Sequence, residues 1–266
     1  QQRTDYRQGF FSYYDDLWRT LNLRNDRQHY QDGLFVLDIP TFEERSVREA
    51  ILNAVSHRHY QLPGSIFIRQ YPRRFVIESP GGLPAGVTIE NILDRQAPRN
   101  RRIAQVFALC GLVERSGQGV NLMFELSVRQ SKSTPSFEGS DAHLVNLTLD
   151  GEVHDSRFIR FLEKIGQETA TSFDVHDLVL LDLLLREQPI PAPAKPRLRR
   201  LVDVGVVESV GRGRGTRYFL SKRFYGELGK PGAYTRRRGL GRDESKALLL
   251  RHLTDRADVG CPVSEL

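Results

Sequence analysis

Three groups of residues in this chain have the types and spacing to do chemistry. Glu49, Asn53 and His57 recur at i, i+4 and i+8, so on a helix they form one polar stripe. A carboxylate, an amide and an imidazole on one helix face point at solvent, or at something that covers them. Gly81-Gly82 and Gly117-Gln118-Gly119 are glycine turns, the first after a strand pattern and the second before a helix pattern. A helix that opens on Gly-x-Gly has free backbone N–H groups at the positive end of its dipole, which suits an anion. Each glycine turn alone also fits an ordinary chain reversal. The third group runs from Lys195 to Arg238, where thirteen Lys and Arg stand against three acids, Asp203, Glu208 and Glu227. So dense a positive tract is an electrostatic footprint for a polyanion, although it also fits a solvated basic surface.

The elements that must position these residues follow from periodicity. Val47, Ala50, Ile51, Ala54 and Val55 form an apolar stripe over 46–60, so that segment is a helix lying on a core with its polar stripe turned away. Residues 13–23 predict a helix with Leu17, Trp18 and Leu21 inward. Residues 34–38 predict a short strand ended by Pro40. Residues 64–71 and 74–78 predict two strands of a hairpin, followed by a breaker loop at Ser79-Pro-Gly-Gly-Leu-Pro84. Thr88 with Asn91 predicts a capped helix through Leu93, and 101–110 predicts a helix stopped by Gly111. A helix from Gly119 carries Val120, Met123 and Phe124 inward, and 143–149 alternates as a closing strand.

Past Asp150-Gly151 the pattern becomes helical. Ser156–Glu168 predicts a helix with Phe158, Phe161, Leu162 and Ile165 inward, and 174–186 a buried Leu-rich helix capped by Ser172. Pro189–Pro193 is a rigid turn and 196–202 a short basic helix. Two strands at 205–210 and 216–220 flank the Gly-Arg-Gly-Arg-Gly loop. Helix, turn, basic helix and a hairpin with a basic tip is the layout of a winged helix-turn-helix. It puts Arg197, Arg199 and Arg200 at a major groove, with Arg212, Arg214 and Arg217 on a wing. The same layout also serves dimerisation or domain docking. A last amphipathic helix begins near Asp243.

Composition bounds the rest. The 266 residues, 39% hydrophobic and 27% charged with a net charge of +6, are those of a globular protein of one to three domains. No apolar run is long enough to span a bilayer and no signal-peptide pattern opens the chain, so no membrane partner and a cytoplasmic location are expected. Cys110 and Cys261 are too few for a disulfide framework or a metal site. A first residue of Gln and an ending inside a helical pattern suggest a fragment of a longer protein. A homo-oligomer is compatible with everything above.

The run Arg48-Glu-Ala-Ile-Leu-Asn-Ala54, His57-Arg58, Ser79–Pro84, Pro98-Arg-Asn100 and Gly111–Gly119 resembles a divergent branch of the GHKL (histidine-kinase-like) ATPases. Its members are described as RecG-like ATP-dependent DNA helicase C-terminal domains or transcriptional regulators, and usually carry an N-terminal Schlafen/AlbA-type domain. The resemblance spans about residues 30–240. It implies an α+β chain: a GHKL-like two-layer sandwich over 1–150, a winged helix-turn-helix over 151–240, and the start of a second winged helix over 241–266. It further implies ATP and Mg²⁺ as cofactors. Glu49 becomes the acid that activates the attacking water, and Asn53 the amide that holds Mg²⁺. Glu78 takes the adenine-reading position, Gly82 the second glycine of the D-x-G-x-G box, and Gly117 and Gly119 the glycines that approach phosphate. Residues 85–116, with Arg95, Arg99, Arg101 and Arg102, become the lid.

Two departures weaken the match. Glu78 replaces an Asp, and Pro80 replaces the first glycine of its box, removing a donor. There is no G-x-x-x-x-G-K-[ST] string, so no helicase motor lies in these residues. The sequence thus points to a DNA-binding regulator with an ATPase-like domain, acting in transcription control or another DNA transaction. Two rivals stand beside it: a nucleotide-free binding or oligomerisation scaffold, and a DNA-stimulated ATPase.

Overall fold

The amphipathic segments around Glu49 and the strand pair after it fold as α2 (Glu44–His57) and the hairpin β3 (Phe67–Gln70) to β4 (Arg74–Pro80). The structure, a computed structural model, describes residues 3–32, 35–95, 97–113, 119–169, 172–211, 213–227 and 250. The chain folds as two compact units, 1–182 and 183–266. Both mix helices with small antiparallel sheets, as an α+β chain should.

In the first unit α1 (Phe10–Asn22) leads to a two-stranded hairpin, β1 (Arg27–Asp32) against β2 (Phe35–Pro40). After α2, β3 and β4 join β5 (Leu144–Asp150) in an antiparallel sheet of order β3-β4-β5. Register aligns Phe75 with Leu149, Ile77 with Leu147 and Ser79 with Val145. Those six residues therefore share one face of the sheet, because side chains alternate along a strand. Phe75, Ile77, Leu147 and Leu149 are buried there against Leu17 of α1, Val47, Ala50 and Ile51 of α2, and Met123 of α4 (Gly119–Arg129). The core thus sits between one sheet face and a helical layer, and α2 is held by the stripe that its spacing predicts.

Between β4 and α4, residues 89–91 make only a 3-10 turn rather than a helix reaching Leu93. Its cap forms as the sequence implies, with the Thr88 N–H donating to Asn91 Oδ1 (2.8 Å). α3 (Arg101–Leu109) stops at Gly111, whose φ of +69° is the left-handed ending that favours glycine. After β5, α5 (Ser156–Thr169) buries Phe158, Phe161, Leu162 and Ile165. α6 (Val175–Leu185) begins in this unit and crosses the division. Its cap is Asp174 rather than Ser172: the Asp174 and Asp177 backbone N–H groups donate to each other's carboxylates (3.3 and 2.9 Å). The reciprocal pair covers donors that the first turn leaves free.

In the second unit α7 (Lys195–Asp203) precedes a hairpin of β6 (Val207–Val210) and β7 (Arg217–Leu220), then α8 (Lys222–Glu227). Leu198 and Leu201 are the buried side of α7. The hairpin turn needs Gly211, at φ +97°, where a Cβ would come within 2.7 Å of the Gly215 carbonyl oxygen. Among the described residues no helix is long and apolar enough to cross a membrane. The helix expected near Asp243 lies outside them, apart from Leu250.

Candidate functional site

α2 turns its polar stripe into a cavity of about 970 Å³ rather than into bulk water. Glu49, Asn53 and His57 line it, each half-buried. Ile77 from β4 and Val145 and Leu147 from β5 give it apolar lining, together with the polar Ser79. Gly82 and Gly119 also reach the wall, so a glycine from each of the two runs meets the polar stripe at one place. Gly117 lies outside the described residues.

The tightest approach is between Glu49 and Gly119. A Cβ on Gly119 would stand 1.6 Å from Glu49 Oε1 and 2.2 Å from its Cδ, so only glycine leaves room for this carboxylate. Asn53 Nδ2 donates to the same Oε1 (2.9 Å). That bond commits the amide nitrogen and leaves the Asn53 carbonyl oxygen as the acceptor. A carboxylate and an amide oxygen one helical turn apart are hard ligands, and Mg²⁺ usually takes only one or two from protein, filling the rest with water and phosphate. These residues therefore fit such an ion. No group of three or more His, Cys, Asp or Glu suited to a metal occurs among the described residues.

The first glycine turn does a different job. Gly81 has φ +97°, and a Cβ there would lie 2.5 Å from His59 Cβ. A Cβ on Gly82 would lie 2.5 Å from the Asp141 carbonyl oxygen. The Gly81 N–H donates to the His143 carbonyl (2.6 Å) and the Gly82 N–H to the Ala142 carbonyl (3.0 Å). Both donors are thus spent on the segment leading into β5. Arg99 Nη2 donates to the Gly82 carbonyl (2.5 Å), tying the loop to the segment before α3.

At this end of the cavity His57 is buried enough to be held below its ordinary pKa, first by desolvation and then by the Arg99 charge. Its Nδ1 is buried without a hydrogen-bond partner, as are His59 Nδ1 and Arg99 Nε. The imidazole is therefore neutral, with one buried nitrogen unspent, at the edge of the cavity that it lines.

Strand register decides which residue of the Glu78-Ser79 pair faces the cavity. Ser79 lies on the cavity face with Ile77, and its hydroxyl donates to the Ala54 carbonyl (3.1 Å). Glu78 is on the opposite face, where its carboxylate pairs with Arg69 Nη1 (2.7 Å). The structure therefore does not bring Glu78 to the other site residues. A one-residue step along a strand moves a side chain to the other face, and sequence spacing alone does not fix that step. Of the expected lid cations, Arg95 lines the cavity, Arg99 holds Gly82, and Arg101 and Arg102 are exposed.

In the second unit Arg199 and Arg200 are exposed on the side of α7 away from Leu198 and Leu201, and Arg197 is half-buried. Arg217 is exposed on β7. Arg212 lies outside the described residues, as does the side chain of Arg214.

Residues 64–149 match a protein family. Its description is "Putative ATP-dependent DNA helicase recG C-terminal". The match covers about a third of the chain and includes β3, β4, the glycine turns, α4 and most of β5, while α2 with Glu49 and Asn53 lies just before it. The structure is also similar to that of the DIP2311 protein from Corynebacterium diphtheriae, with a TM-score of 0.70 and 23% identity over 85% of this chain. This chain spans 49% of that one, about half its length. At that identity the likeness is one of fold. No curated protein matches the chain.

A second polar cluster had no sequence signal. Lys132, 3% exposed, donates from Nζ to the Pro40 and Thr41 carbonyls (2.6 and 3.1 Å) and to Gln130 Oε1 (2.6 Å). Burial pushes its pKa down to about 8, against the pull of Glu43 and Asp150. Ser133 Oγ donates to Asp150 Oδ2 (2.5 Å), and His154 Nε2 lies 3.1 Å from Ser133 Oγ and 3.3 Å from that same Asp150 oxygen. The types are those of a hydrolytic triad, but one imidazole nitrogen faces both partners. No second nitrogen is oriented by the acid, so the arrangement a serine nucleophile needs is absent. Lys132 and Gln130, which also donates to Glu43 (2.9 Å), instead pin the end of α4 to the start of α2. Residues 87 to 92 positions apart make these contacts, beyond the reach of any local pattern.

Proposed function

We propose that the cavity along α2 is a nucleoside triphosphate site of the GHKL type, and that the second unit is a winged helix that contacts DNA. The observation that carries the reading is the convergence of Glu49, Asn53, Gly82 and Gly119 on one cavity, the two glycines lying within the segment that matches the family described as "Putative ATP-dependent DNA helicase recG C-terminal". In this reading Asn53 offers its oxygen to Mg²⁺, which supplies charge neutralisation at the phosphates when bound. Glu49 orients the attacking water and takes its proton. Ser79 and His57 would meet the base, and the end of the cavity at Gly119 would take the phosphates. Arg95 and the segment around it cover the nucleotide, and their ordering changes how α7 and the β6–β7 hairpin are offered to DNA. The role is a DNA transaction or transcription control.

A scaffold without nucleotide is the second reading. It is favoured by Pro80 and by the Gly81 and Gly82 N–H groups, both already spent within the protein. Calorimetric titration with a non-hydrolysable ATP analogue and Mg²⁺ separates the two. The nucleotide reading expects saturable binding that weakens when Asn53 is replaced by Ala. No heat at millimolar analogue overturns it and leaves the scaffold.

A further inference from the structure

The face of the β3-β4-β5 sheet turned away from the core has a composition that the cavity does not explain. Phe75 and Ile77 of β4 and Ile68 of β3 pack into the core. Alternation therefore puts Phe67, Arg69 and Tyr71 on the other face, beside Arg74, Val76 and Glu78 of β4. Tyr71 lies just past β3 and keeps to the ladder, its backbone N–H donating to the Arg74 carbonyl (2.8 Å). The solvated face of an antiparallel sheet is ordinarily polar, yet Phe67 is 48% and Tyr71 40% exposed. Single exposed apolar residues are common. This row differs in its order, which is ring, guanidinium, ring along the edge strand, with another guanidinium on β4. Arg69 lies over the Phe67 ring, 5.5 Å from its centroid, and Arg74 over the Tyr71 ring at 4.9 Å. Glu78 pairs with Arg69 (2.7 Å). Asp150, opposite Arg74 in register, has its carboxylate engaged by Ser133 and His154. Arg73 and Arg74, both exposed, leave that end of the face positive.

We propose that this outer face is a docking surface for single-stranded nucleic acid. It lies in the first unit and is independent of the nucleotide reading of the α2 cavity. Each nucleotide of a single strand offers the same alternation, an aromatic base and a phosphate. Unpaired bases stack on aromatic rings and guanidinium planes, and the phosphates pair with the arginines. At the rise of a strand, Phe67 and Tyr71 stand about 13 Å apart, with Arg69 between them. A duplex keeps its base faces inside its own stack, so it would meet the arginines and leave the rings unused. An acidic peptide would do the same. The two rings therefore decide the partner, and the arginines supply its charge complement.

The test is fluorescence anisotropy of the 266-residue chain with a labelled oligothymidylate of about 12 nucleotides, and with a duplex of the same length. Phe67→Leu with Tyr71→Leu keeps an apolar surface and removes both π-faces. It should weaken single-strand binding about tenfold or more and leave duplex binding unchanged. Phe67→Tyr with Tyr71→Phe keeps both rings and should bind the single strand as the wild type does. Arg74→Ala should lower the slope of log K against log salt for the single strand by about 0.7. Single-strand binding that survives the loss of both rings overturns the proposal, as does an equal loss for single strand and duplex. Polyglutamate that binds as tightly as the oligothymidylate, with or without the rings, marks an acidic protein partner and also overturns it. Should the variant lacking both rings not fold, as judged by circular dichroism, Tyr71→Leu alone is read in the same way.

Discussion

Gly119→Ala should cost stability through Glu49 and through nothing else. The added methyl would stand 1.6 Å from Oε1, 2.2 Å from Cδ and 2.9 Å from Cγ of Glu49. The first two atoms can swing away, so the glutamate leaves its place and gives up the hydrogen bond from Asn53. A hydrogen bond to a charged group contributes about 1.5–3 kcal/mol. Replacing glycine by alanine in a helix returns up to about 1 kcal/mol, less at a first helical position. The net loss should be roughly 0.5–2 kcal/mol by urea denaturation. The assay that isolates the cause is a double-mutant cycle with Glu49→Ala. Once the carboxylate is gone, Gly119→Ala should become neutral or stabilising, giving a coupling of about 1 kcal/mol or more. Effects that add within about 0.5 kcal/mol would refute the reasoning, since the two residues would then not be in contact.

Two further predictions follow from charges. Lys132 has a folded pKa near 8 against an ordinary 10.5, so the unfolded chain binds more protons between those values and stability rises with pH across that window. The difference in unfolding free energy between wild type and Lys132→Met, measured from about pH 7.5 to 10.5, should therefore grow in favour of wild type; a flat difference removes the assignment. In the second unit, replacing exposed Arg199 and Arg217 together with Ala should weaken binding to every duplex sequence and lower the slope of log K against log salt by about 2. An unchanged slope in fluorescence anisotropy would place the DNA surface elsewhere.

Much of this was legible where the pattern is local. Val47, Ala50, Ile51, Ala54 and Val55 repeat with the helical period, and burying them fixes where Glu49, Asn53 and His57 must point. Asn91 caps Thr88 and Gly111 ends α3 because those contacts span only a few residues. β1 was not legible. Arg27-Gln-His-Tyr-Gln-Asp32 has no apolar alternation, and it is held by pairing with β2 and by buried Gln28, whose amide donates to the Gly151 carbonyl (2.6 Å) from 123 residues away. The Glu78 and Ser79 faces could not be told apart because strand phase is set by Ile77 meeting Leu147 across the sheet. The nearness of Gly119 to Glu49 depends on how α4 lies on α2, which Gln130 and Lys132 hold from the far end. Residue types suggested the partners, and only tertiary packing supplied the distance.

The Gly81-Gly82 turn has a mechanical consequence. With both N–H groups bonded to the segment that leads into β5, the turn is a stiff plate fastened at the end of the sheet rather than a hinge. Change in the size of the chamber must then come from the covering stretch after it, which is fastened back through Arg99 to Gly82 and through Asn100 to the Ser56 and Arg58 carbonyls. Relatives could lengthen or trim that covering to admit larger or smaller guests, and the sheet beneath would not need to be rebuilt.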